Sequence, residues 1–256
     1  MIKLFSKIRQ RLLTENKFSK YLLYAIGEIV LVVIGILIAL SINNWNTDQA
    51  DRAEEQLLLQ NLKHEFTQNL NQLHADHAIN LSTLEETLNY LETRGEYKKP
   101  EQIDHSIGRF CTFATFDPSV GYIEQAISSG KLDLIQSDSL KIYLSQWSGE
   151  LNDLKEDVII RRDHWLHHLS PIVRKYLPMR NTDMTQDRPD YQRQNKIEPI
   201  KVSEENYKEF AASVEVDGVI YDHYMNQSYV VINEEHIEVY IKRVLDLIHA
   251  EIKQLN

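Results

Sequence analysis

The chain has 256 residues, a formal net charge of -10, 43% hydrophobic and 26% charged residues. That composition excludes a disordered polymer and leaves room for one medium-sized domain. The single cysteine, Cys111, excludes an internal disulfide framework and any multi-cysteine metal or cluster site. Eight glycines and six prolines suit a mostly helical chain.

Residues 1–20 form a basic segment, with Lys3, Lys7, Arg9, Arg11, Lys17 and Lys20 against Glu15 alone. Ile2, Phe5, Ile8, Leu12 and Leu13 gather on one helical side, which fits a short helix lying on an anionic leaflet. An ordinary basic flank with scattered apolar residues fits equally.

Residues 21–42 read YLLYAIGEIVLVVIGILIALSI and hold one charge, Glu28. As a helix they extend about 33 Å, enough for a hydrocarbon core of about 30 Å. Tyr21 and Tyr24 stand near one end and Trp45 just past the other, where amphipathic aromatics anchor a span. The flank before this transmembrane helix carries a net +5, whereas residues 43–256 hold 22 basic and 36 acidic residues. Basic flanks stay cytoplasmic, so the N-terminus is expected inside and residues 43–256 outside. Ala39 and Ser41 also allow a cleaved signal peptide, but such apolar regions are usually shorter, about 7–15 residues, than this one.

Glu28 is the residue least suited to such a segment, because a charge near a helix centre costs about 2.5–3.5 kcal/mol on insertion scales. At 100° per residue, Tyr21, Tyr24, Glu28, Gly35 and Ala39 share one narrow stripe. Gly35 and Ala39 form a small-xxx-small pair that lets two backbones approach. The expectation is a transmembrane interaction face for a second copy or another membrane protein, with Glu28 protonated or bonded across it. The expected partners are therefore the lipid bilayer and one such span.

The run from Glu15 to Asn46, ENKFSKYLLYAIGEIVLVVIGILIALSINNWN, resembles the N-terminal signature of a family of uncharacterised single-pass proteins from Bacteroidota, the domain of unknown function 6090. Lys20, Tyr21, Tyr24, Gly27, Glu28, Gly35, Ala39, Asn43, Asn44, Trp45 and Asn46 carry the likeness, and Ser41 stands where Gln is common. Gly121-Tyr122-Ile123 and Ser129-Gly130-Lys131-Leu132 resemble the family's midsection more weakly. The resemblance implies a bacterial inner-membrane protein with a periplasmic helical domain, and no assigned function comes with it.

Beyond the span, residues 48–93 read as one long helix with a stripe from Leu62 through Phe66, Leu73, His77, Leu84 and Leu91. Leu62, Leu73 and Leu84 repeat every 11 residues, which predicts a nearly straight helix rather than a 3.5-period coiled coil. Its first residues, TDQADRAEEQ, are expected as a stalk or a short break. Residues 95–117 read as irregular, with Asp117-Pro118 opening a helix over 118–129 that Gly130 ends. A long helix is predicted over 138–176, kinked or restarted at Pro171. A polar loop follows over 177–201, then helices over 204–214 and 218–254, the last split near Asn233. The fold class expected is mainly α: one transmembrane helix, then an antiparallel helical bundle over 43–256.

Chemistry is sparse. In RRDHWLHH, His164 and His168 lie one helical turn apart beside Asp163 and could bind a divalent metal. The third ligand and the Glu of H-E-x-x-H are missing, so a solvated face is the preferred reading. His77 occupies a core-stripe position and suits a satisfied core or interface histidine. Cys111 reads as a buried thiol among phenylalanines, and Arg161-Arg162 as basic spots on an acidic domain, with no nucleic-acid surface. No phosphate loop, nucleophile elbow or di-iron motif occurs. No catalytic residue and no cofactor are therefore assigned. The expected role is a non-enzymatic scaffold, assembly partner or sensing module, with a small metal-dependent envelope hydrolase as the alternative.

Overall fold

A computed structural model describes residues 18–96, 98–183 and 198–255, except for the side chains of residues 18–21, 24, 183 and 255. The basic segment 1–17 and most of the 177–201 connection lie outside the described residues. The helices are α1 (Phe18–Glu92), α2 (Pro100–Phe110), α3 (Gly121–Ser128), α4 (Asp138–His164), α5 (Ser170–Tyr176), α6 (Met179–Asp183), α7 (Glu204–Ala212) and α8 (Val214–Leu255). A 3-10 turn spans Lys131–Leu134, and no strand occurs among the described residues. The protein is mainly α.

The chain divides into two units, Met1–Gln56 and Leu57–Asn256. In the first, the described part is helical throughout, including the polar TDQADRAEEQ stretch, which therefore makes no break. Its most apolar 18-residue window has a mean hydropathy of 2.8, and none of it is buried. By length and composition, α1 is one helix able to cross a membrane; a signal sequence would pass the same test.

In the second unit, three long helical stretches surround two apolar cores. The first core takes Leu59, Leu62, Phe66 and Leu73 from α1, Leu140, Leu144, Trp147 and Leu154 from α4, and Val230, Ile237, Ile241, Val244 and Ile248 from α8. The second takes Tyr90 from α1, Ile103, Ile107 and Phe110 from α2, Leu169, Ile172 and Val173 after α4, and Val216 and Ile220 from α8. Read along the chain, α1 and α4 run from the first core to the second, and α8 runs back.

The burial period differs from the one the leucines suggested. On α1 a row of buried positions runs through 55, 59, 62, 66, 69, 73, 80, 83, 87 and 90, with Glu65 buried beside it, and on α8 a row runs through 216, 220, 223, 227, 230, 234, 237, 241, 244, 248 and 251, with Val231, Tyr240 and Leu245 buried beside it. Alternating steps of three and four are the 3.5-residue seam of coiled-coil packing, not an 11-residue repeat. The stripe of leucines departs from this seam past Leu73: Leu84 and Leu91 are only half-buried, while Asn80, Thr83 and Thr87 are buried. Hydrogen bonding makes those polar positions tolerable inside.

Four further expectations are corrected. The segment 95–117 is not all irregular, because α2 occupies Pro100–Phe110. Pro100 opens it, the Lys99 N–H donates to Gln102 Oε1 at 2.9 Å, and Ile103, Ile107 and Phe110 form its buried face. Helix α3 starts at Gly121 rather than at Pro118. The Glu65 carboxylate of α1, itself buried, accepts from the N–H groups of Tyr122 at 2.9 Å and Ile123 at 3.1 Å. It thus caps from a distance the first turn of α3, in place of the local Asp117 cap expected for a helix starting at Pro118. The 177–201 connection holds the short α6, whose Asn181 exchanges hydrogen bonds with the backbone of Ile200. Helix α8 is unbroken at Asn233, whose side chain donates to Asp157 Oδ2 of α4 at 2.5 Å.

Elsewhere local chemistry sets the ends. Gly130 adopts φ 72° after α3, the left-handed conformation that glycine enters without a Cβ penalty. Ser137 caps α4, and Glu251 of α8 accepts from the N–H groups of Gln136 and Ser137. Pro171 has no N–H to give back to the preceding turn, and the helical ladder widens into a π turn over Trp165–Leu169 before α5 begins.

Candidate functional site

Between the two cores lies a polar layer built on Asn80, Arg161, Gln227 and Glu234. All four are buried, and Arg161 is 0% exposed. The Asn80 side-chain amide donates to Glu234 Oε1 at 2.6 Å and to the Ala114 carbonyl at 3.2 Å. Its Oδ1 accepts from the Ala114 N–H and from Arg161 Nη1. Arg161 Nη1 also donates to Gln227 Oε1, and Nη2 donates to the Ala114 carbonyl at 2.9 Å. The guanidinium carbon lies 4.7 Å from the Phe113 ring centre. Gln227 in turn donates to the Asn80 backbone carbonyl at 2.8 Å.

Burial pulls the Arg161 pKa down to about 10, opposed by Glu234, so the guanidinium stays charged near neutrality. Burial pushes the Glu234 carboxyl upward against the hydrogen bonds from Asn80 and His77 and the charge of Arg161. His77 Nδ1 lies 3.1 Å from Glu234 Oε2, which makes it the interface histidine its stripe position suggested.

A row of imidazoles adjoins this layer. His168 stacks on His164 at 5.2 Å between ring centres, and His164 on His223 at 6.0 Å. His164 is buried, not on a solvated face; its Nε2–H donates to the Val219 carbonyl at 3.0 Å. His223 is fully buried, donates through Nε2 to the Phe110 carbonyl at 3.1 Å, and is held down to a pKa of about 4. Burial is the main cause, with His164 and Arg161 adding positive charge nearby.

Of the candidate metal ligands, His164 and His168 come together and Asp163 does not join them. Asp163 is exposed and sits 3.4 Å from His167. The two rings are nearly parallel, 23° apart, so their in-plane lone pairs do not converge on one point. Among the described residues no group of three His, Cys, Asp or Glu side chains is placed to hold a metal ion. Cys111 is half-buried, and its Sγ accepts from Trp165 Nε1 at 3.4 Å. Arg161 and Arg162 are not a matched pair of basic spots: the first is the centre of the buried layer and the second faces solvent.

The proposed transmembrane face is described only in part. Glu28, Gly35 and Ala39 are exposed on α1, and a Cβ added at Gly35 would meet no atom within 4 Å. The side chains of Tyr21 and Tyr24 lie outside the described residues.

The arrangement is that of a helical domain with an internal polar layer, following a long apolar helix. The chain belongs to the family of unknown function DUF6090, which it matches over residues 28–162, more than half its length. The match includes Glu28, Gly35, Asn80 and Arg161, and ends before His164, His223 and Glu234. No curated protein and no solved structure matches the chain.

Proposed function

We propose that the chain is a non-enzymatic single-pass membrane protein of the bacterial inner membrane, N-terminus cytoplasmic and C-terminal domain periplasmic, serving as an assembly partner or scaffold. One observation carries the reading. The most apolar window of α1 has none of its residues buried, and water is a poor solvent for 18 such residues in a row. The basic flank of residues 1–20 supplies the orientation. The polar layer supports a structural role: its Asn80, Gln227 and Arg161 fork are engaged with protein groups, and no nucleophile sits beside a base there. Nothing observed favours the hydrolase alternative. The stripe of Glu28, Gly35 and Ala39 is the contact through which a second copy or another span would pack.

The test is an in-cell photocrosslink from a photoreactive residue replacing Val32, one turn before Gly35, with intact masses read by mass spectrometry. A full-length product joined to a second chain is expected, and Glu28→Leu should diminish it. Full-length monomer alone would sink the association. A product beginning after Ser41 would sink the anchor.

A further inference from the structure

We propose that His168, His164 and His223 form an acid-operated catch: protons taken up by this row release the second core, while the three long helices around the first core stay assembled. The row runs inward from the surface. His168 is exposed, His164 is 9% exposed and His223 0%, and the successive ring centres stand 5.2 and 6.0 Å apart. Its two inner members each join different elements. His223 of α8 donates to the Phe110 carbonyl at the end of α2, and His164 of α4 donates to the Val219 carbonyl of α8. The His164 and His168 rings, nearly parallel, offer no shared cation site, so protons are what the row takes up.

The closed arrangement has no place for a second proton on His223. Its Nδ1 is enclosed and has no hydrogen-bond partner, so a proton there would make a buried donor without an acceptor. The imidazolium would also lie against His164 and near the fixed charge of Arg161. Facing the row are Arg161 and the exposed Asp163 from α4, His167 from the π turn, and the exposed Asp222 from α8. Glu234 of the polar layer is held by Asn80 and His77, and Arg109 of α2 is turned to Ser82 of α1. Burial lowers the His164 pKa and His168 adds to it, outweighing the Val219 carbonyl, Asp222 and Asp163. Acid therefore favours whichever arrangement lets both rings reach water.

Helix length sets the part that opens. The second core gathers α2, α5, α6 and α7, of 11, 7, 5 and 9 residues, on the ends of α1 and α8. Helices shorter than about 12 residues persist mainly through packing, so losing the bonds to Phe110 and Val219 frees them as one unit. Helices α4 and α8, of 27 and 42 residues, remain joined to α1 through the first core. The π turn over Trp165–Leu169, where the ladder is already widened, is the hinge. The inference does not rest on the anchoring reading, since every residue of the row lies within 57–256.

The test is hydrogen exchange of the full chain in phosphatidylcholine nanodiscs at pH 7.5, 6 and 5, read by mass spectrometry, each rate divided by the intrinsic rate at that pH. Amides of α2, α5 and α7 should open together, and at every pH more readily than those of residues 140–154 and 237–248. An imidazole at about 4 when closed and about 6.5 when open makes the opening equilibrium about thirtyfold larger at pH 5 than at pH 7.5. The protection of the three helices should fall by that factor. His223→Gln and His164→Gln each keep a neutral donor to the carbonyl and should each shrink the fall. Equal protection of the two cores at pH 5 would overturn the proposal, because opening would then be global unfolding alone. Second-core protection that does not change with pH, or that falls equally in both variants, would overturn it too. The unmutated chain decides the first two outcomes, so a variant that fails to fold leaves the proposal open to refutation.

Discussion

His223 makes the domain acid-sensitive through a single buried imidazole. Its pKa is about 4 in the folded chain, against about 6.5 when unfolded. The depressed value means that the unfolded state takes up the proton first as pH falls through 6.5. Between about pH 6.5 and 4 the unfolded state therefore binds more protons, and stability falls on acidification. A gap of about 2.5 units corresponds to about 3 kcal/mol once the pH is below both values, and about 2 kcal/mol of it is lost between pH 7.5 and 5. His223→Gln keeps a neutral donor for the Phe110 carbonyl and removes the titration. Urea unfolding followed by tryptophan emission at pH 7.5, 6 and 5 measures the effect. The loss of stability from pH 7.5 to 5 should be smaller in the variant by about 2 kcal/mol. A residual slope should remain, because burial also lowers the His164 pKa. Parallel stability–pH curves for the two proteins would refute the argument.

Three further outcomes follow from named contacts. Arg161→Met should cost about 3–5 kcal/mol in urea unfolding, because Glu234 loses its buried counter-charge and Ala114, Asn80 and Gln227 lose a donor. Arg161→Lys should not restore it, since one ammonium cannot reproduce the planar fork. Glu65→Ala should cost about 2 kcal/mol and speed hydrogen exchange at the amides of Tyr122 and Ile123, the donors it caps. Gly130→Ala should cost about 1 kcal/mol by forcing a Cβ into the left-handed region, read as a lower melting temperature with an unchanged helical circular dichroism spectrum.

The residues differ in how far they announce themselves. The apolar run of residues 21–42 is visible in any window because its character is local composition, and α1 includes it. The start of α4 was legible for the same reason, with Ser137 and Asp138 in sequence order before an apolar stripe. Helix α2 was obscured by Gly95, Pro100 and Gly108, although Pro100 at its first turn and the spacing of Ile103, Ile107 and Phe110 carry a helical signal. Arg161 was not legible at all. Adjacent arginines face different sides of a helix, and only the distant Asn80, Gln227 and Glu234 decide which one goes inside. The start of α3 was hidden similarly, because its cap comes from Glu65, more than fifty residues earlier. The leucine count misled on the burial period, since Asn80, Thr83 and Thr87 replace leucine on the seam and take their bonds from Ala114, Thr112 and neighbouring turns.

The polar layer has a consequence for motion. Sliding α1, α4 or α8 past the others by one helical turn, about 5.4 Å, would carry a buried charge or amide into a layer of leucine and phenylalanine. The apolar seams alone would tolerate such a shift, because one heptad position resembles the next. Asn80, Arg161, Gln227 and Glu234 match in one alignment only. They act as a key that forbids a ratchet. Piston-like displacement of one helix is thereby closed to this domain, and a rearrangement within it must keep the layer in step, as a concerted rotation or bending of the helices would.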